Sequence, residues 1–332
     1  MFTRPDDLSD DAVAAAVAEG WGRRADVIEY LPVGFGSHHW RVEADGCRWF
    51  VTADDLRARK WHRAESHDES LRRLRAALGT ARRLRDDGLA FVVAPVTTTS
   101  GDVLHVAANY FAIAVYPHVQ GASPDSDSYR TREERLAVLD LIVGVHGASG
   151  PTIQGAVVDD FAIPHREDLT AVLTEHSGRW DTGPYGEAAR ALLARHAREV
   201  ERVLARYDTL VVGTRRRADR MVLTHGEPHP RNTLASDGGL MLVDWDTTLL
   251  APPERDVWTL ADGDPQVVDL YEATTGVVLF EETLALYRLR WDLTEISIYV
   301  GQFQRPHRDT TDTSMSWAGL NDYLDPRRWQ AD

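Results

Sequence analysis

Leu223-Thr224-His225-Gly226-Glu227-Pro228-His229-Pro230-Arg231-Asn232-Thr233-Leu234 is the stretch that decides how this chain is read. It continues through Gly238-Gly239 into Leu240-Met241-Leu242-Val243-Asp244-Trp245-Asp246. An acid, Glu227, stands five residues before an amide, Asn232. A tight turn follows, then an apolar strand that ends in acids. Phosphoryl transfer from a nucleotide needs such parts. One carboxylate orients the attacking hydroxyl and takes its proton, while an amide oxygen and a second carboxylate hold Mg²⁺ against the phosphates. Glu227, Asn232 and Asp244 suit these roles.

Outward from this stretch, the pattern changes along the chain. Residues 8–19 predict a short helix entered at Ser9 or Asp10. Strands are expected at 27–33, 40–44 and 48–52, with Gly34-Phe35-Gly36-Ser37 as a turn and Asp45-Gly46 as a hairpin. Leu71, Leu74, Leu78, Ala81 and Leu84 recur at helical spacing, so 66–87 predicts a helix stopped by Gly88. Two more strands follow near 103–106 and 110–116. Residues 117–130 carry Pro, Gly and Ser and predict a connector. Beyond it, 131–148, 165–176, 186–207 and much of 265–301 have helical periodicity, interrupted by the β-rich 221–246. The expectation is an α+β fold with a β-rich N-terminal lobe (1–116), a hinge (117–130) and a larger, mostly helical C-terminal lobe (131–332). A cleft between two such lobes is the natural ligand site.

Composition narrows the function classes. The 332 residues exceed one average domain. Hydrophobic residues are 43 % and charged residues 27 %, which allows a folded core and excludes disorder of the whole chain. A formal charge of −15 argues against nucleic acid as a partner and favours a cationic small molecule. With Cys47 alone, no intramolecular disulfide can form. The N-terminus lacks a basic start followed by an apolar stretch, and no apolar run approaches the ~18 residues of a membrane span. A cytoplasmic monomer or dimer with no membrane partner is expected. Lys60 is the one lysine; every other basic side chain of this kind is arginine.

His225-Gly226-Glu227-x-x-x-x-Asn232 with Val243-Asp244-Trp245 resembles the signature of the aminoglycoside phosphotransferase and choline-kinase-like family, relatives of the protein kinases. That signature is His-Gly-Asp-x-x-x-x-Asn, then an apolar strand closing in Asp-Trp or Asp-Phe. The order of the lobes agrees over most of the chain. The resemblance implies a bilobal protein-kinase-like fold. It also implies transfer of the γ-phosphoryl group of ATP, or GTP, with Mg²⁺, to a hydroxyl of a small acceptor. Glu227 would be the base, and Asn232 and Asp244 the metal ligands. Gly34, Phe35, Gly36 and Ser37 match the phosphate-covering turn, whose glycines let backbone N–H groups approach phosphate. Ala114 to Val119 resembles the adenine-binding hinge, with Tyr116, His118 and Val119 at the nucleotide. Pro253 to Trp258 resembles the segment in which an aspartate, here Asp256, braces the catalytic loop. The short Gly-Phe-Gly-Ser turn and the chain length are most similar to the spectinomycin-phosphotransferase-type branch. That implies an aminoglycoside or aminocyclitol acceptor, and antibiotic resistance or self-protection in a producer.

Two positions depart from the family. Glu227 stands where aspartate is usual, which displaces the carboxylate by about 1.5 Å. A misplacement of that size costs about a hundredfold in rate. Thr52 occupies the place of the third-strand lysine that pairs with phosphates. Lys60, eight residues on, is the expected substitute if the loop folds back, with Glu65 or Glu69 as its partner; Arg57, Arg59 and Arg63 are equally near. Asp246, Glu254 and His229 are candidates for binding the acceptor. His225 is expected to order the loop. His38 and His39, as strand neighbours, face opposite ways and make no metal pair. Two other readings stand beside transfer to a cationic antibiotic: a pseudokinase that holds nucleotide without transfer, and a metabolic sugar or amino-alcohol kinase.

Overall fold

Apolar residues alternate in the N-terminal strands, and the sheet they form has two unlike faces. The computed structural model describes residues 1–124, 126, 128–175, 178–217 and 220–329. Strands β1 (Val27–Leu31), β2 (His38–Ala44), β3 (Cys47–Asp55), β4 (His105–Ala107) and β5 (Phe111–Pro117) pair antiparallel in the order β1-β2-β3-β5-β4. Asp45 and Gly46 join β2 to β3 with φ of 53° and 72°, as the Asp-Gly pair predicts. Trp40, Val42, Val51, Ala53, Phe111, Ile113 and Val115 are buried together with Val13, Val17 and Trp21 of α1 (Asp10–Trp21). Ser9 caps that helix, its hydroxyl accepting from the Ala12 N–H. On the opposite face, Ala112 and Ala114 meet Leu74 and Leu78 of α2 (His67–Asp86). Thr52 pairs with Ala114 across the sheet, so Thr52, Asp54 and Tyr116 share this second face.

The motif segment is built from two short antiparallel pairs. β6 (Val222–Thr224) pairs with β9 (Leu249–Ala251), and β7 (Thr233–Ser236) pairs with β8 (Gly239–Leu242). Residues beyond β5 run to β7, where Ala122 and Ala235 exchange both backbone hydrogen bonds at 3.1 and 3.0 Å. Leu242 is held likewise, its N–H donating to Phe91 O and its carbonyl accepting from the Val93 N–H. α3 (Arg132–His146) begins in a capping box formed by Thr131 and Glu134. It packs against α6 (Glu254–Ala261) and α7 (Gln266–Thr275).

These bonds explain why the compact units differ from the expected boundaries at 116 and 131. One unit is Met1–Arg59, His67–Asp159 and Asp219–Phe280; the other is Lys60–Ser66, Asp160–Ala218 and Glu281–Asp332. The hydrogen bonds at Ala122 and Leu242 keep the motif hairpin with the β-rich part of the chain. The second unit is helical: α4 (Arg166–Glu175), α5 (Gly186–Arg215), α8 (Glu281–Phe303) and α9 (Thr311–Tyr323). Leu193, Val200 and Tyr207 of α5 and Leu286, Leu293 and Ile296 of α8 are buried in it. The periodic run 265–301 is two helices, because Gly276 takes a left-handed φ of 71° and closes α7. α9 lies beyond the expected elements; its run Thr-Asp-Thr-Ser-Met-Ser has too few apolar residues to mark a helical stripe. Residues 125 and 127 of the expected connector, and residue 176 at the end of the expected helix 165–176, lie outside the described residues. Among the described residues, no helix is long and apolar enough to cross a membrane. The expected α+β class holds.

Candidate active site

The loop that follows β6 is held through its backbone. The His225 and Gly226 N–H groups donate to the two carboxylate oxygens of Asp256, at 2.8 and 2.6 Å. Asp256 lies fully buried in the first turn of α6. His146 Nε2 is 3.1 Å from the same carboxylate, and His146 Nδ1 is 2.8 Å from the Tyr271 hydroxyl. Burial pushes the Asp256 carboxyl up, but the hydrogen bond and charge of His146 and the nearby Arg255 outweigh it and hold the group below its usual range. Gly226 is required: its φ is 103°, and an added Cβ would lie 2.6 Å from the Arg255 guanidinium carbon. Arg255 itself donates to the Thr224 hydroxyl and to Thr247 O, both at 2.8 Å.

His225 links this loop to the strand that ends in acids. Its Nδ1 accepts from the Glu227 N–H at 3.2 Å. The proton is therefore on Nε2, which donates to Val243 O at 2.9 Å. Burial lowers the ring's basicity, and the ring packs edge-on to Trp245 with centroids 4.6 Å apart. A neutral imidazole with both nitrogens engaged orders the loop, in keeping with its expected role.

Glu227, Asn232 and Asp244 are brought together by backbone bonds. Pro230 to Asn232 form one tight turn, and the Asn232 side-chain nitrogen donates to Glu227 O at 3.0 Å. The Val243 N–H donates to Asn232 O at 3.0 Å, which sets Asp244 beside Asn232. Asp244 has a φ of 65°, a left-handed conformation that costs a non-glycine residue energy and is found where function demands it. Its side chain is closely surrounded by protein yet open to solvent. That surrounding, with the charges of Asp246 and Glu227, pushes its carboxyl well above the usual range. Asp246 goes the other way: Arg59 outweighs its burial and holds it low. His229 Nε2 lies 3.8 Å from Glu227 Oε2. The loop is tied down further by Tyr129, whose hydroxyl donates to Pro228 O.

These donors fit Mg²⁺. The Asn232 nitrogen is spent on Glu227 O, so its oxygen is the atom left to face a cation. Asp244 sits where neighbouring acids make a cation welcome. Two hard oxygens suit an ion that takes its remaining ligands from phosphate and water.

The residues expected at the phosphates lie about the second sheet face. Gly34 and Gly36 take φ of 70° and 82°, and Phe35 at the tip is exposed. The Ser37 hydroxyl donates to Asp54, which is only 3 % exposed. The Arg59 Nε donates to the same carboxylate at 2.8 Å, and its Nη2 reaches both Asp54 and Asp246. Burial raises the Asp54 carboxyl, partly offset by Arg59. Burial and the acids Asp54, Asp244 and Asp246 hold the Tyr116 phenol far from ionising.

Sequence reasoning chose Lys60 as the substitute cation; the side chain that meets these acids is Arg59. After β3, the Ala58 and Arg59 N–H groups both donate to Asp55 O, making one helical turn that brings Arg59 back over Asp54. Lys60 falls in the other compact unit. Glu65, one of its two expected partners, accepts from the Trp61 N–H. Glu254 does not suit an acceptor-binding role. It is fully buried, and its Oε1 takes hydrogen bonds from Arg220 and the Phe280 N–H, each at 2.9 Å. In the expected hinge, the His118 N–H donates to Arg48 O at 3.3 Å. Asp54 was missed, although its spacing of two from Thr52 puts both on one strand face. Tyr271 and Tyr129 carry no local signal, because their partners are 99 or more residues away.

Residues 28–290 match the model of the phosphotransferase enzyme family. The chain is 30 % identical over 311 residues to Protein StrN of Streptomyces griseus, covering 90 % of this chain and 87 % of that protein. Its fold is similar to that of spectinomycin phosphotransferase APH(9)-Ia, solved with ADP and spectinomycin, with a TM-score of 0.73 at 15 % identity over 97 % and 98 % of the two chains. A microcompartment-associated aminopropanol kinase has a TM-score of 0.54 at 17 % identity, over 92 % of each chain. Choline kinase LicA of Streptococcus pneumoniae has a TM-score of 0.54 at 14 % identity, over 90 % and 94 %.

Proposed function

The chain belongs to the phosphotransferase enzyme family, and on that premise we propose that it moves the γ-phosphoryl group of ATP, or GTP, to a hydroxyl of a small cationic acceptor. The observation that carries this reading is the convergence of Glu227, the Asn232 amide and Asp244 on one loop and hairpin tied to Asp256. Glu227 accepts the proton of the acceptor hydroxyl as its oxygen bonds to the γ-phosphorus. The bond from that phosphorus to the β-phosphate oxygen breaks, and the nucleoside diphosphate leaves. Asn232 and Asp244 would hold Mg²⁺, which when bound offsets the negative charge of the phosphate oxygens. The Gly34–Ser37 turn covers the phosphates, and Val119 offers its N–H to the base.

Three things support a cationic acceptor. The chain carries a net charge of −15. Asp246 and Glu227 stand beside Asp244. The acceptors named for the structural neighbours, spectinomycin, aminopropanol and choline, each combine hydroxyl with amine or ammonium groups. An aminocyclitol of the spectinomycin type is the first choice, since that neighbour matches over nearly the whole of both chains. The test is incubation with Mg-ATP and a panel of aminocyclitols, aminoglycosides and amino alcohols, read by mass spectrometry. A product heavier by one phosphoryl group, dependent on one acceptor class, is expected. Nucleotide binding with no product from any acceptor would favour a pseudokinase, for which Thr52 in the lysine place is the supporting feature.

A further inference from the structure

We propose that Arg59 takes the place of the missing strand lysine and binds the nucleotide phosphates, aimed by a Ser37–Asp54–Arg59 relay found on the second sheet face. This rests on the phosphotransferase reading above. Asp54 and Asp246 both pair with the Arg59 guanidinium, and the charge of Asp244 also acts on it. A triphosphate brought to such a cluster needs a cation beside it, and Thr52 supplies only an uncharged hydroxyl. The hydrogen bonds of Arg59 use Nε and Nη2, out of five N–H donors in a planar fork suited to phosphate.

Two anchors make Arg59 more than a surface ion pair. Its carbonyl accepts from Ser70 and Arg73 in α2, the first at 3.1 Å, so the backbone is fixed from the helix side. Its side chain is fixed by Asp54, which also takes the Ser37 hydroxyl. Ser37 closes the Gly34–Ser37 turn, so one buried carboxylate sets both the turn and the cation. Asp54 thereby does for Arg59 what a helix glutamate does for a strand lysine. Asp246 accepts from the same Nη2 that meets Asp54, and phosphate oxygens compete with it for the fork.

Calorimetric binding of Mg-ATP, Mg-ADP and adenosine to the full chain tests this. Arg59→Met should weaken Mg-ATP by about 10- to 100-fold, the worth of a charge-assisted contact, and leave adenosine within about twofold. Arg59→Lys should recover most of the loss, and Thr52→Lys in the Arg59→Met background should recover part of it. Because Arg59→Met strands the buried Asp54 charge, Asp54→Asn with Arg59→Gln serves as a second, charge-neutral variant and should show the same loss. Wild-type affinity for Mg-ATP in these variants overturns the proposal. So does an equal loss for ATP and adenosine, which marks a purely structural role. If the wild-type chain binds neither nucleotide, the phosphotransferase reading itself falls, and this inference with it.

Discussion

The two sides of the site are held together by different physics. On the acid side, residues 225–246 are fixed by backbone hydrogen bonds: two N–H groups on Asp256, Val243 on Asn232, and Ala235 on Ala122. On the other side, Ser37, Asp54 and Arg59 are linked to one another and to Asp246 through their side chains, with Asp54 and Asp246 competing for Arg59. Backbone bonding tolerates little change in the residues between, so the acid side keeps the family's spacing. Side-chain ion pairs need only a charge within reach, which is why an arginine seven residues beyond Thr52 can be proposed in the place of a strand lysine.

The sharpest way to break this contrast is at Asp244. Asp244→Ala should lower Mg²⁺-dependent transfer by on the order of 10³- to 10⁴-fold, with the melting temperature within a few degrees of wild type. Wild-type turnover would remove Asp244 from metal binding. Glu227→Gln should cost about 10²-fold or more in kcat while nucleotide affinity stays unchanged, since an amide accepts a proton poorly. Normal kcat in that variant would assign the base elsewhere.

The backbone brace answers to stability measurements. Gly226→Ala forces a Cβ onto Arg255 at a left-handed φ, and should cost about 2–4 kcal/mol in urea unfolding. Asp256→Asn should cost about 2 kcal/mol at neutral pH, for the loss of charged acceptors to two backbone N–H groups and His146. The sign of its pH dependence follows from the lowered carboxyl. The stabilisation by Asp256 is fully present above its ordinary value of 3.8 and fades as the pH falls through the lower folded value. The gap between wild type and Asp256→Asn should therefore narrow only below about pH 4, and a constant gap there would contradict the depressed pKa. As a control at the start of α3, Thr131→Ala should cost about 1 kcal/mol through the lost capping box and leave transfer unchanged.

How much could be read in advance follows the same division. Ser9 as a helix cap and Asp45-Gly46 as a hairpin are local signals that the structure bears out, and the spacing of Glu227, Asn232 and Asp244 is a local signal as well. The break at Gly276 was also local, but a glycine within a periodic run does not announce which conformation it takes. Lys60 was favoured over Arg59 because residue type was weighed and the turn at Asp55 was not. Glu254 was a candidate for binding the acceptor, whereas Arg220 and the Phe280 N–H draw it into the interior.

By itself, the sequence determined the order of helices and strands, the family, and which three side chains stand at the spacing phosphoryl transfer requires. Those properties depend on neighbours within a few residues, where hydrogen bonding and alternation act. Only the tertiary structure decided which cation meets the acids, which acid is buried as a buttress, and that Asp256, His146 and Tyr271 form one chain under the loop. Charge pairing and burial depend on distance in space, and the residues concerned are separated by up to 187 positions.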